Sequence, residues 1–119
     1  MSQEEIVSFH RTAMELAEQA SATPDPLRAR KLFQAALKDE RKAAELWESG
    51  SNLEPTRSVL YRSAASLAVD CQDYAEARRL IDKGLSGEPP EDIRQELLDL
   101  LTRIEPPKRA ERRLSSGKR

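Results

Sequence analysis

Apolar residues recur along most of the chain at the three- and four-residue spacing of amphipathic helices, and no segment alternates as a half-buried strand does. The seven prolines stand at the borders of these periodic segments, where a residue without a backbone N–H interrupts no helical hydrogen bond. The pattern predicts five helices, at residues 3–22, 26–49, 55–71, 74–86 and 90–104. The predicted fold class is therefore all-α.

The second predicted helix contains a charged run, KDERK at residues 38–42. The run includes good helix formers and no glycine or proline, so one continuous helix is predicted, with a turn near Lys38–Glu40 as the alternative. Its side chains are interpreted as a solvated face, held by pairs three and four residues apart.

Several residues mark the predicted helix ends. Ser2 is expected to cap the first helix, and Asp25 is expected to cap the second, with Pro26 at the first helical position. Gly50 and Gly87 are expected to end the second and fourth helices.

Length and charge narrow the class of protein. The 119 residues suit a single domain, and the charged residues, 34% of the chain, almost cancel to a net −1. Such a balance favours neither nucleic acid nor an anionic membrane as a partner. No apolar run approaches the roughly 20 residues that span a bilayer, and the acidic N-terminal sequence does not look like a signal peptide. A cytoplasmic protein without membrane attachment is therefore expected.

The last segment, PPKRAERRLSSGKR, differs from the rest of the chain. It carries six basic residues and one glutamate, a net charge of +5, which leaves −6 for residues 1–105. Its few apolar residues cannot form a core, so residues 106–119 are predicted to be a disordered basic tail. Residues 1–105 are predicted to form one helical domain.

The sequence also repeats itself with a shift of 34 residues. Leu46 falls opposite Leu80, Gly50 opposite Gly84, and the pair Glu54–Pro55 opposite Glu88–Pro89. A 34-residue period is typical of tetratricopeptide (TPR) repeats, which are pairs of antiparallel helices stacked as a solenoid.

Residues 58–89 resemble one TPR motif. The resemblance is carried by large and small residues at the family's packing positions, by the turn between its two helices and by the closing proline: Tyr61, Ala64, Ala65, Ala68, Asp73, Tyr74, Ala77, Ile81, Gly84 and Pro89. It implies a right-handed stack of antiparallel helix hairpins in which the fifth helix acts as a cap. It also places Gly84 where a small residue lets the next helix approach closely.

The resemblance implies a function as well, because TPR-like domains hold a peptide or helix of a partner protein in a groove lined by their first helices. Carried onto the third helix, the groove positions are Val59, Arg62, Ser66, Val69 and Asp70. A clamp for a C-terminal carboxylate would need asparagine in place of Ser66 and several basic residues. Only Arg62, with Arg57 as a second candidate, could serve here, so such a clamp is not expected.

Catalysis, cofactors and metals find little support in the sequence. The chain has one histidine, His10, and one cysteine, Cys71, which fall on different predicted helices. Neither a nucleophile–base pair nor a zinc site of usual ligand number is expected from them. Cys71 and Trp47 are interpreted as packing residues.

The predicted function is a non-catalytic scaffold, adaptor or regulatory module that binds a partner protein, with no cofactor. The alternative is a nucleic-acid-associated accessory protein that acts through residues 106–119. The partner's identity and a homo-oligomeric state stay open.

Overall fold

The computed structural model describes residues 3–105, and these form five α-helices without a strand. The helices are α1 Gln3–Ser21, α2 Pro26–Gly50, α3 Thr56–Asp70, α4 Tyr74–Leu85 and α5 Glu91–Ile104. Each bound lies within one residue of the prediction, and α2 is continuous through Lys38–Glu40. The all-α fold class is confirmed. The predicted cap at Ser2 and the predicted tail lie outside the described residues.

Local side-chain chemistry explains where the helices begin. The Asp25 carboxylate accepts a hydrogen bond from the Leu27 N–H at 3.1 Å, and Pro26 occupies the first turn of α2, as predicted. Asp73 caps α4 in the same way by accepting from the Glu76 N–H. Both caps depend only on residues close in the chain, which is why the sequence could predict the cap at Asp25.

Left-handed backbone conformations follow the ends of α2 and α3. Gly50 is the last residue of α2, but the left-handed backbone conformation falls on Asn52, with a φ of 56°. Gln72, after α3, is also left-handed, with a φ of 63°. Gly50 thus ends α2 as expected, and Asn52 supplies the left-handed residue that follows, because asparagine tolerates this conformation.

The helices pack in chain order, and α3 lies at the centre. It contacts α2 on one side and α4 on another, while α5 packs against both α3 and α4. Five residues of α3 are buried against its neighbours: Leu60, Tyr61, Ala64, Ala65 and Ala68. The many alanines let the helices approach closely, so the core consists mainly of helix–helix contacts.

Gly84 makes the predicted close approach possible. A Cβ atom built on Gly84 would lie 2.9 Å from Cδ1 of Leu97 on α5 and 3.4 Å from Cβ of Tyr61 on α3. Leu97 and Tyr61 are wholly buried, so α5 packs over the end of α4 where the glycine leaves room. The reason for a glycine inside α4 is thus close packing against α5.

Arg57 joins the start of α3 to the end of α4. Its side chain is buried and donates to the backbone oxygens of Lys83 and Gly84, both at 2.9 Å, and to Glu54 Oε2 at 3.0 Å. A Cβ at Gly87 would overlap the guanidinium, so this glycine is needed there as well. Arg57 is therefore unavailable for the groove role considered from the sequence.

Candidate binding groove between α1 and α3

An open cavity of about 400 Å³ lies between the first half of α1 and the first half of α3. Most of its lining is apolar, and it comprises Gln3, Ile6, Val7, His10, Trp47, Pro55, Thr56, Val59 and Leu60. Val7 remains 51% exposed although it is a large apolar residue. The cavity is thus a concave apolar surface that the described residues leave uncovered.

Beside this cavity, a hydrogen bond between His10 and Glu40 joins α1 to α2. Both carboxylate oxygens of Glu40 lie 2.9 Å from Nδ1 of His10, and Glu40 is wholly buried. The prediction that residues 38–42 form a solvated face is therefore wrong for Glu40. Helical spacing explains its position, because Glu40 stands one turn from the buried Ala36 and one turn from the buried Ala44.

Burial determines the protonation of Glu40. Loss of solvent raises the pKa of its carboxyl above the ordinary value, while the hydrogen bond with His10, the Ser63 hydroxyl and the charge of Arg62 oppose the rise. The carboxyl therefore keeps its proton to a higher pH than an exposed glutamate does.

The five residues that the TPR resemblance assigned to the groove do not line one cavity. Val59 lines the α1–α3 cavity, whereas Arg62 and Ser66 line a second cavity of about 240 Å³ against α5. Asp70 lines a third, of about 340 Å³, beside the start of α2. Val69 is partly buried against the core.

Arg62 already has a partner. Its Nη1 lies 2.5 Å from Oε1 of Glu96 on α5, so a ligand would have to displace or share this pair. Desolvation raises the pKa of the Asp70 carboxyl, and the charge of Arg103 on α5 opposes this rise. The side chains of Arg62 and Asp70 thus interact with charged residues of α5. Neither side chain lines the α1–α3 cavity.

The cavity residues on α1 were not assigned to the groove from the sequence. Gln3, Val7 and His10 recur at helical spacing, so they share one face of α1. This face adjoins the buried Ile6, and the spacing could have indicated it. Only the tertiary structure shows that this face of α1 and Val59 of α3 line the same cavity. No local sequence pattern specifies how α1 is placed relative to α3.

The arrangement is suited to binding. Apolar walls from two helices can hold an apolar side chain, and one imidazole can contribute a hydrogen bond. Among residues 3–105, no group of His, Cys, Asp and Glu side chains is placed to hold a metal ion. Burial raises the pKa of the Cys71 thiol, which hydrogen-bonds the Ala68 oxygen, as befits a packing residue.

Comparisons of the chain with protein-family models, with curated protein sequences and with solved structures found no match. The TPR resemblance therefore stays a prediction from the sequence. Within the described part of the chain, none of the helices has both the length and the apolar character that crossing a membrane requires.

Proposed function

We propose that this protein is a small, non-catalytic cytoplasmic module, a scaffold, adaptor or regulator, that binds a peptide or helix of a partner protein between α1 and α3. The observation that carries the proposal is the open apolar cavity, with Val7 exposed at its edge. Exposed apolar surface in a concave site is costly to leave in water and is typical of interaction sites.

The size and shape of the cavity support this mode of binding. About 400 Å³ falls within the range of ligand pockets, roughly 300–1,000 Å³. Because its walls come from two neighbouring helices, an amphipathic segment could lie in the groove and insert an apolar side chain between them.

Site-specific photocrosslinking tests the proposal. Benzoylphenylalanine in place of Val7 should crosslink a protein partner in host lysate. The same residue in place of Tyr74 is the matched control, because Tyr74 is 49% exposed but lies on α4, which contributes nothing to the cavity. Val7→Glu should weaken binding of the purified partner about tenfold or more, since a charge would then face the apolar walls.

Further measurements on the same association distinguish the proposed function from the nucleic-acid alternative. Residues 106–119 lie outside the described residues, so the alternative depends on their sequence alone. An association that nuclease treatment abolishes, that deletion of residues 106–119 removes and that Val7→Glu leaves unchanged would replace the proposed function by nucleic-acid binding.

A further inference from the structure

His10 presents two different ring nitrogens to two different environments. Nδ1 lies 2.9 Å from both oxygens of the buried Glu40. The ring also lines the α1–α3 cavity, and its side chain is 41% exposed. Nε2 has no hydrogen-bond partner among residues 3–105, so it is the edge that can meet a ligand.

Glu40 controls whether Nε2 donates or accepts a hydrogen bond. When the pair holds one shared proton, either His10 is imidazolium or a protonated Glu40 donates to Nδ1, and Nε2 carries a hydrogen in both cases. When that proton is lost, the Glu40 carboxylate requires the remaining hydrogen on Nδ1, and Nε2 becomes a bare acceptor. The pair thus titrates as one unit, with opposite consequences at the cavity.

Groups from all three surrounding helices act on this pair. His10 comes from α1, and Glu40 itself comes from α2. From α3, the Ser63 hydroxyl and the positive charge of Arg62 both lower the pKa of the carboxyl. Arg62 also pairs with Glu96, and the negative charge of Glu96 reduces the effect of Arg62 on Glu40.

The overall charge bears on the kind of acceptor that Nε2 could meet. Residues 1–105 carry a net −6, which disfavours an anionic ligand group on this protein. A neutral carbonyl is an acceptor without that cost. Its neighbour in the cavity would be an aliphatic side chain, since the walls are apolar.

We propose that Nε2 of His10 donates a hydrogen bond to a neutral carbonyl of the partner segment, whose adjacent aliphatic side chain fills the cavity. This bond exists only while the His10–Glu40 pair retains its shared proton. The proposal rests on the proposed function for the location of the site. It adds the chemistry of the ligand and a dependence on pH.

The first test needs no ligand. His10 is the sole histidine, so ¹⁵N NMR of the histidine-labelled full chain reports this ring alone. As the pH rises and the pair loses its shared proton, Nε2 should change from protonated to bare. In Glu40→Leu the neutral ring should keep its hydrogen on Nε2. A wild-type ring that keeps this hydrogen throughout would overturn the proposal.

The second test measures the binding of a small probe molecule that can accept a hydrogen bond but cannot donate one. N,N-dimethyl-4-methylpentanamide combines a tertiary amide carbonyl with a branched alkyl group, and the methyl signals of Val7 and Val59 report its arrival. Its dissociation constant should rise about three- to tenfold between about pH 5 and about pH 8, as the loss of one hydrogen bond implies. In His10→Gln, whose amide donates at every pH, binding should persist without this dependence.

The outcomes distinguish this proposal from the proposed function. Equal affinity of the wild type at both pH values would overturn the role of His10 and leave the cavity as a binding site. Failure of the probe to shift the cavity methyl signals at either pH would also overturn the proposal. Crosslinking from position 7 then decides the proposed function independently.

Discussion

The two sides of α3 are built differently. Towards α4 and α5, the wholly buried Tyr61 and Leu97 meet across Gly84, and Arg57 fixes the end of α4 with hydrogen bonds. Towards α1, Val59 is only partly buried and an open cavity remains. One helix therefore serves as a structural support on one side and as the wall of a groove on the other.

The difference lies in how each side treats polar groups. The guanidinium of Arg57 uses its donors on carboxylates and backbone oxygens within the protein. The imidazole of His10 uses Nδ1 on Glu40, while its ring lines the cavity. A satisfied buried group contributes to the fold, whereas an unfilled hydrogen-bonding position beside apolar walls is available to a ligand.

The largest effect is expected from Arg57→Ala. This change leaves Glu54 and two carbonyls at the end of α4 without their buried donor, and should lower the free energy of unfolding by about 3–5 kcal/mol. Arg78→Ala is the control, because Arg78 forms an exposed pair with Glu105 and should cost less than about 1 kcal/mol. Equal denaturation midpoints for the two variants would show that Arg57 does not hold α3 to α4.

A smaller effect is expected at Gly84. Gly84→Leu should cost about 1–3 kcal/mol by overpacking against α5. Gly84→Ala should cost less, because only the end of the Leu97 side chain has to shift and alanine restores helix propensity. Gly50→Ala is the matched control, since nothing lies within 4 Å of its added Cβ. Thermal melts in which Gly84→Leu behaves as Gly50→Ala does would contradict the close packing.

The smallest effect concerns Glu40 and pH. Because the folded protein raises the pKa of this carboxyl, its contribution is fully present below the ordinary value of 4.5 and declines as the pH rises through the folded-state pKa. The free energy of unfolding of the wild type relative to Glu40→Leu should therefore decrease as the pH rises above 4.5. Urea denaturation at several pH values checks this, and a constant or opposite difference would refute the assignment.

The helices were predictable because their boundaries depend on neighbours in the chain. Proline borders, the Asp25 cap and the apolar spacing each act within a turn or two. The close packing at Gly84 was also predictable, because the TPR resemblance implies a small residue at this position. The contact with Leu97 shows why a small residue is required there.

The site was less predictable because its contacts join distant parts of the chain. Glu40 lies in a run that reads as a surface face, and its partner His10 is 30 residues away. Arg62 was expected to face a ligand, but its ion-pair partner Glu96 lies 34 residues further along. The partners of long polar side chains depend on how the helices pack against one another. Helical periodicity does not specify this packing.

Crosslinking identifies the partner, which can then be purified. Hydrogen exchange of the full chain, with and without this partner, tests most directly whether the α1–α3 cavity is the binding surface. Binding should slow amide exchange in residues 3–14 and 55–63, which surround the cavity, and leave residues 74–85 of α4 unchanged. Protection confined to α4 or to residues 106–119, with α1 unaffected, would contradict the account.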